Sequence, residues 1–388
     1  MRLVLDVEAT GAQRNKAHPF DYRNVACNLG FRNLDTGEVK IWKIQYDDEP
    51  YGNALQEIQQ WLNSATLLVG FNLKYDLHWL FRYNLQYSQR LFDCQVAYFI
   101  LRNQQASYPS LDGVATELGV DNKLDIVKTE YWEKGLDTDQ VPYEILSEYL
   151  EQDLLTTAQV YTKLMSEIEA TLLGMKVCIR MAMLDLAVLA NIEQNGLLYD
   201  TEKSLNKGEE LVTKIEKIDN WIREKYNVPW FNPNSGEHTS VLLYGGTVML
   251  DGTESFLFVY KDGRETIKTR KAKVPQTYAG LYKPLEGSEL AKAGFYATNE
   301  PTLVSIRNSS KDNTELLDVL LHRSKLEKLR STYYQGLPKR IIEMGWEDNI
   351  IHSSFNQCVS VSGRLSSTKP NVQNIAGEVK EVFISRFS

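Results

Sequence analysis

The stretch Arg2–Thr10, RLVLDVEAT, decides how the first part of this chain is read. Its Leu and Val residues form an apolar run of strand length, broken only by Asp6 and Glu8, and the run reads as a buried strand. Side chains alternate along a strand, so two acids two positions apart share one face and can grip the same cation. An acid near a strand end is ordinarily just solvated. A pair inside an apolar strand is different, because burying charge is unfavourable unless something compensates it.

Working outward, VACNLGFRNL and EVKIWKIQY read as a hairpin turning at Asp35-Thr36-Gly37. LQEIQQWL then has helical spacing, TLLVGFN is a short strand, and KYDLHWLFRYNL is helical again. This alternation predicts an α/β unit with a mixed sheet and flanking helices. The runs VAYFILRNQ and LDGVATELG continue the helical pattern, as does a long segment beginning YEILSEYLEQD. We expect a first domain over residues 1–165.

Composition sets the class. Of 388 residues, 43% are apolar and 24% charged, the balance of a soluble globular protein of two or three domains. No run approaches the ~20 apolar residues of a membrane span, and MRLVLDVEATG lacks the longer apolar core of a signal peptide, so no membrane partner and a cytoplasmic location are expected. Cys27, Cys94, Cys178 and Cys358 have no metal-binding spacing and are expected to be buried free thiols. Net charge is −8, which argues against a simple DNA coat, but it is uneven: residues 1–160 carry 14 Lys and Arg against 23 Asp and Glu, and residues 161–388 carry 29 against 28. An acidic unit that attracts cations precedes a near-neutral one.

Hydrolysis of a phosphodiester with two metal ions needs several carboxylates around one point. Beyond Asp6 and Glu8, Asp76 lies in the first turn of a helix after a strand, a position that by itself fits simple dipole complementation. Tyr149 and Asp153 are four apart and share a helix face, where Tyr alone would fit core packing. The joint pattern carries the argument: D-x-E on a strand, N-x-x-x-D after a strand, Y-x-x-x-D on a late helix of the same unit.

In that order and spacing, residues 1 to about 165 resemble the DEDD-type proofreading exonuclease, tyrosine subclass, of family A (DNA polymerase I-like) polymerases. The resemblance implies an RNase H-like fold and a two-ion site for Mg²⁺ or Mn²⁺ held by Asp6, Glu8, Asp76 and Asp153. It also implies that Tyr149 positions the attacking water and that Asn72 and Tyr75 lie beside a single-stranded DNA 3′ end. Asp93 is expected to be a structural cap. The apolar wedge that such enzymes carry after the first motif is not evident, Ala12 standing near its place.

The rest of the chain extends the resemblance. Asn195-Gly196 is a helix stop, followed by a polar helix from Thr201. LDLAVLANIEQNGLLYD, FNPNSGEHTSVLLYG and KLEKLRSTYYQGLPKRI resemble a polymerase thumb, expected over 166–345. Residues 246–288 read as an inserted β subdomain similar to that of phage members. Its Arg264, Lys268, Arg270, Lys271 and Lys273 suit DNA backbone, solvent or a partner such as a processivity factor about equally. Lys325, Lys328 and Arg330 suit phosphate contact, or simply a solvated helix face. IIHSSFNQCVSVSGRLSSTKPNVQNI resembles the start of a palm, expected over 346–388, where Arg364, Gln373 and Asn374 would lie along primer-template DNA.

No segment resembles the palm's catalytic aspartate strands or the fingers helix. The chain is therefore expected to be the N-terminal part of a split or shortened polymerase, in a bacterium or phage-infected host, with palm and fingers on a second polypeptide. The expected function is 3′ to 5′ proofreading of DNA. The alternatives are a stand-alone exoribonuclease of the same superfamily and a DNA-binding scaffold subunit.

Overall fold

The computed structural model describes residues 1–11, 18–45, 52–105, 108–120, 126–310 and 314–386. Ala12 lies outside the described residues, so the wedge expected there is not addressed. From the N-terminus come β1 (Arg2–Ala9), β2 (Ala26–Asn33), β3 (Val39–Lys43), α1 (Ala54–Ser64), β4 (Leu67–Gly70), α2 (Leu73–Arg82), β5 (Arg90–Asp93) and α3 (Cys94–Leu101). Next are α4 (Leu111–Leu118), α5 (Ile126–Glu130), α6 (Tyr143–Ala170), α7 (Leu173–Asn195) and β6 (Leu197–Tyr199). The chain continues through α8 (Thr201–Lys225), α9 (Gly236–Tyr244), β7 (Gly245–Val259), β8 (Glu265–Ala279), α10 (Glu300–Ser309) and α11 (Glu315–Lys328). It closes with α12 (Gly336–Glu343), β9 (Ile350–Ile351), β10 (Ser354–Asn356), β11 (Ser366–Thr368) and β12 (Phe383–Ile384).

Two compact units result: Met1–Thr201 together with Leu337–Ser388, and Glu202–Gly336. The first is built on a five-stranded mixed sheet of order β3-β2-β1-β4-β5, with β1 antiparallel to β2 and parallel to β4. The hairpin turns where the sequence indicates, between β2 and β3. Strand β1 is central and feeds two cores. Leu3, Leu5, Val7 and Ala9 pack with Ile58, Leu62, Leu77 and Leu80 of α1 and α2. Val4 belongs to the other face, with Ala97 of α3 and Leu150 and Leu154 of α6. Each fully buried Leu, Ile or Val among them stabilises the fold by about 1.5–3 kcal/mol. Because parity along β1 assigns faces, Asp6 and Glu8 share Val4's face, toward α6.

Helix α7 runs to Asn195 as the Asn-Gly stop implies, and Gly196 follows at φ +60°; a Cβ there would meet Ile350 Cγ2 at 2.5 Å. β6 then pairs with β9 and β12, so residues from the C-terminal segment close a three-stranded sheet on the first unit. Cys27, Cys94 and Cys358 are buried, but Cys178 is exposed, because it lies on the outward face of α7.

The second unit has its own core, with Ile222, Phe231, Leu243, Leu316 and Leu317 almost wholly enclosed. Inside it Arg323 meets Asp219 through two hydrogen bonds, Nε to Oδ1 at 2.9 Å and Nη2 to Oδ2 at 3.2 Å. The insertion read as β-like is a long two-stranded ribbon, β7 and β8 pairing from Gly245↔Ala279 to Val259↔Glu265. Among the described residues, no helix is long and apolar enough to cross a membrane.

Candidate active site

Asp6 and Glu8 stand on β1, and Asp153 comes from α6. The register explains how α6 gets close enough. Asp6 pairs with Gly30 of β2, and a Cβ at Gly30 would lie 2.7 Å from Leu154 Cδ1 and 3.2 Å from Leu150 Cδ2. Glycine there removes the side chain that would hold the helix off the sheet. The result is that one carboxylate oxygen from each of Asp6, Glu8 and Asp153 lies within 4.8 Å of the others.

Asp76 arrives from α2. Strand β4 ends at Gly70, Asn72 turns the chain with φ +59°, and α2 starts at Leu73. Asp76 is 2% exposed, and its Oδ1 has no hydrogen-bond partner. Burial, then the neighbouring Asp6 and Asp93, hold its carboxyl well above the usual carboxylate range. It stands outside the three-carboxylate group within 4.8 Å, while its field reaches Asp6 and Glu8.

Asp93 is a cap, as its sequence position indicates, and it serves two helices. Its carboxylate accepts N–H bonds from Gln95 and Val96 at the start of α3, and from Asn72 and Leu73 at the start of α2. Burial nonetheless raises its carboxyl to about 6. The sequence signals only the local cap, because the second pair of donors is twenty residues away.

Tyr149 is 2% exposed on α6, one turn before Asp153, and its ring meets Trp132 edge-on at 5.8 Å between centroids. Burial and the charges of Glu8, Asp153 and Asp6 raise its phenol, so it stays protonated. Tyr75 is raised as well, chiefly by burial. Asn72 and Tyr75 line a cavity of about 260 Å³ together with Lys74, His78, Glu193 and Asn356.

Three carboxylates this close repel one another by about 4 kcal/mol per pair at 4 Å in a medium of effective dielectric 20. A bound divalent cation removes that repulsion. The donor set is all oxygen, which suits Mg²⁺ or Mn²⁺, and the orphaned Oδ1 of buried Asp76 is what a ligand to such an ion looks like without it.

The remaining residues singled out in the sequence lie elsewhere. Lys325 and Lys328 are exposed on α11, whereas Arg330 is engaged with Glu327 and with Gln335. Arg364, Gln373 and Asn374 are exposed after β10. On the ribbon, Arg264, Arg270 and Lys273 pair with Asp262, Glu254 and Asp251, and Lys268 lies over Phe258. Sequence reading overlooked Gly30, although a glycine in the apolar strand ACNLGFRN marks close approach, and it overlooked Lys74 and Glu193, whose pairing spans 119 residues.

Comparison with known proteins agrees with these features. A family model described as 3′-5′ exonuclease matches residues 5–169, and one described as DNA polymerase family A matches residues 273–386. DNA polymerase I of Bacillus subtilis (strain 168) is 26% identical over 292 residues, covering 75% of this chain and 27% of that protein. DNA polymerase I of Synechocystis sp. is 24% identical over 308 residues, covering 78% and 26%. The chain thus spans about a quarter of the length of these relatives. Among solved structures, the POL domain of Pol1 from M. smegmatis in complex with DNA primer-template and dNTP aligns over 99% of this chain and 55% of that one, with TM-score 0.63 and 17% identity. That likeness is one of fold.

Proposed function

Taking as premise that this chain belongs to DNA polymerase family A, carrying its 3′-5′ exonuclease domain and the N-terminal part of its polymerase domain, we propose that it removes nucleotides from the 3′ end of DNA by metal-assisted hydrolysis. The observation that carries this reading is the convergence of Asp6, Glu8 and Asp153 within 4.8 Å beside buried Asp76.

These four acids would hold two divalent ions. When bound, the ions neutralise charge on the phosphate and lower the pKa of water. Tyr149, protonated at neutral pH, hydrogen-bonds the attacking water and fixes its direction. Asn72 and Tyr75 orient the terminal nucleotide. The water oxygen bonds to phosphorus as it loses a proton to solvent, the bond from phosphorus to the preceding 3′ oxygen breaks, that oxygen takes up a proton to become the new 3′ hydroxyl, and a nucleoside 5′-monophosphate leaves.

Lys325, Lys328, Arg330, Arg364, Gln373 and Asn374 belong to the same proposal as contacts to primer-template DNA. So do a second polypeptide with palm and fingers, a processivity factor at the ribbon, and a phage-type origin. Added partner would show as primer extension or as longer tracts per binding event.

The direct test is a 5′-labelled single-stranded oligonucleotide incubated with Mg²⁺. Stepwise shortening is expected, stopped by chelation and reduced about 10³-fold or more in Asp6→Ala. Unchanged shortening by that variant would overturn the assignment.

A further inference from the structure

The buried Glu193 has no part in the proposed chemistry, yet its carboxylate is engaged by Lys74, His78 and the Phe355 N–H at once. Its side chain is 4% exposed at the end of α7. Oε1 accepts from Lys74 Nζ at 2.6 Å and from the Phe355 N–H at 2.5 Å, and Oε2 pairs with His78 Nε2 at 2.7 Å. Lys74 Nζ also donates to the Phe355 carbonyl. The Glu193 carbonyl accepts from His352 Nδ1 at 2.7 Å, and the neighbouring Gln194 side chain donates to the Leu77 carbonyl at 3.3 Å. One carboxylate thus joins α2, α7 and β10.

The placement on α2 gives this its meaning. Lys74 and His78 are four apart and form one stripe of the helix, each held by a different oxygen of the same carboxylate. Asp76 lies between them in sequence, about 160–200° around the helix from either, on the opposite side. Apolar packing through Leu73, Leu77 and Leu80 holds α2 against the sheet, and Arg82 at its far end donates to the Pro19, Asp21 and Tyr22 carbonyls. The Lys74 and His78 anchors, one turn apart, add resistance to rotation of the helix about its own axis. A rotation of about 20° would carry a carboxylate some ~6 Å from the helix axis by about 2 Å, enough to disrupt a reacting geometry.

Resting on the exonuclease reading above, we propose that Glu193 is a positioning residue: by clamping Lys74 and His78 it fixes the rotation of α2 and so the aim of Asp76 at the metal site. Removing its charge leaves the Lys74 ammonium, whose side chain is 13% exposed, without its anion. Groups that orient metal ligands change metal affinity by about 10–100-fold when lost.

The test uses the full chain with Glu193→Gln, and Lys74→Met as a second variant should the first not fold. Mn²⁺ binding is measured by calorimetry, without DNA, and excision kinetics are measured on a single-stranded oligonucleotide, per folded molecule. Mn²⁺ binding is expected to weaken about tenfold and kcat to fall about 10–100-fold, with KM for the oligonucleotide within about threefold. Unchanged Mn²⁺ affinity and kcat in folded variant, or losses that only track the folded fraction, would overturn the proposal. Asp6→Ala, run in parallel, separates the two readings. If it excises normally, the site assignment fails; if it is inactive while the clamp variants behave as wild type, only the role of Glu193 fails.

Discussion

Asp76 and Asp93 are acids of nearly equal burial, 2% and 1% exposed, seventeen residues apart, and their environments assign them opposite tasks. Asp93 receives four backbone N–H bonds, so its ionised form is satisfied by two helix starts. Replacing it with Ala orphans those donors and is expected to destabilise the protein by about 2–4 kcal/mol, read as a shift of the urea midpoint. Asp76 has an oxygen with no partner and the charge of Asp6 facing it. Its raised pKa means that the folded state holds the proton more tightly than the unfolded chain, so ionisation at neutral pH opposes folding. Asp76→Asn is therefore expected to raise metal-free stability by about 1–3 kcal/mol while suppressing excision, with Mg²⁺ narrowing the stability difference. A destabilised Asp76→Asn protein would contradict the account of this carboxylate. Both residues were legible in sequence as acids at helix starts. What was not legible is which donors reach them, because those are set by the path of the chain between β4 and β5.

At the scale of elements, the site depends on how closely α6 rides on the β1–β2 pair, and Gly30 sets that distance. Gly30→Val would drive methyl groups into Leu154 and Leu150, and is expected to destabilise by about 1–3 kcal/mol and to lower excision by moving Asp153 away from Asp6. Normal activity in that variant would show that α6 has room to spare. The ribbon makes the opposite case. Its contacts run to α9, and its apolar Leu257, Val259 and Ile267 are exposed, so replacing Gly246–Tyr278 by a short turn should leave excision of single-stranded DNA within about twofold. The alternating elements of the sheet, the hairpin turn and the helix stop at Asn195-Gly196 were readable because period-two and period-3.6 patterns are local. The pairing of β6 with β9 and β12 was not, because strands of two or three residues carry almost no periodic signal.

Taken whole, the first unit is discontinuous: the chain leaves it at Thr201 and returns at Leu337, so its folding needs residues from both ends of the sequence. The returning segment brings His352, which stacks on Phe20 at 4.0 Å between centroids with 11° between planes, and Trp346, whose ring meets His18 at 5.9 Å. Burial lowers both imidazoles to about 4, helped at His18 by the like charge of His352. In the unfolded chain each titrates near 6.5, so between pH 6.5 and 4 the unfolded state binds more protons than the folded one. The two imidazoles' contribution to stability then falls as pH drops through that window, by about 3 kcal/mol for each at its lower end, against the opposite contribution of the raised carboxyls of Asp76 and Asp93. Urea unfolding followed by circular dichroism at a series of pH values measures the slope directly. His352→Leu keeps an apolar group against Phe20, removes one titrating site, and relieves His18 of its charged neighbour. The loss of stability on acidification should accordingly be smaller than in the wild type, and an unchanged slope would mean that the joint between the returning segment and the sheet domain does not hold its histidines neutral.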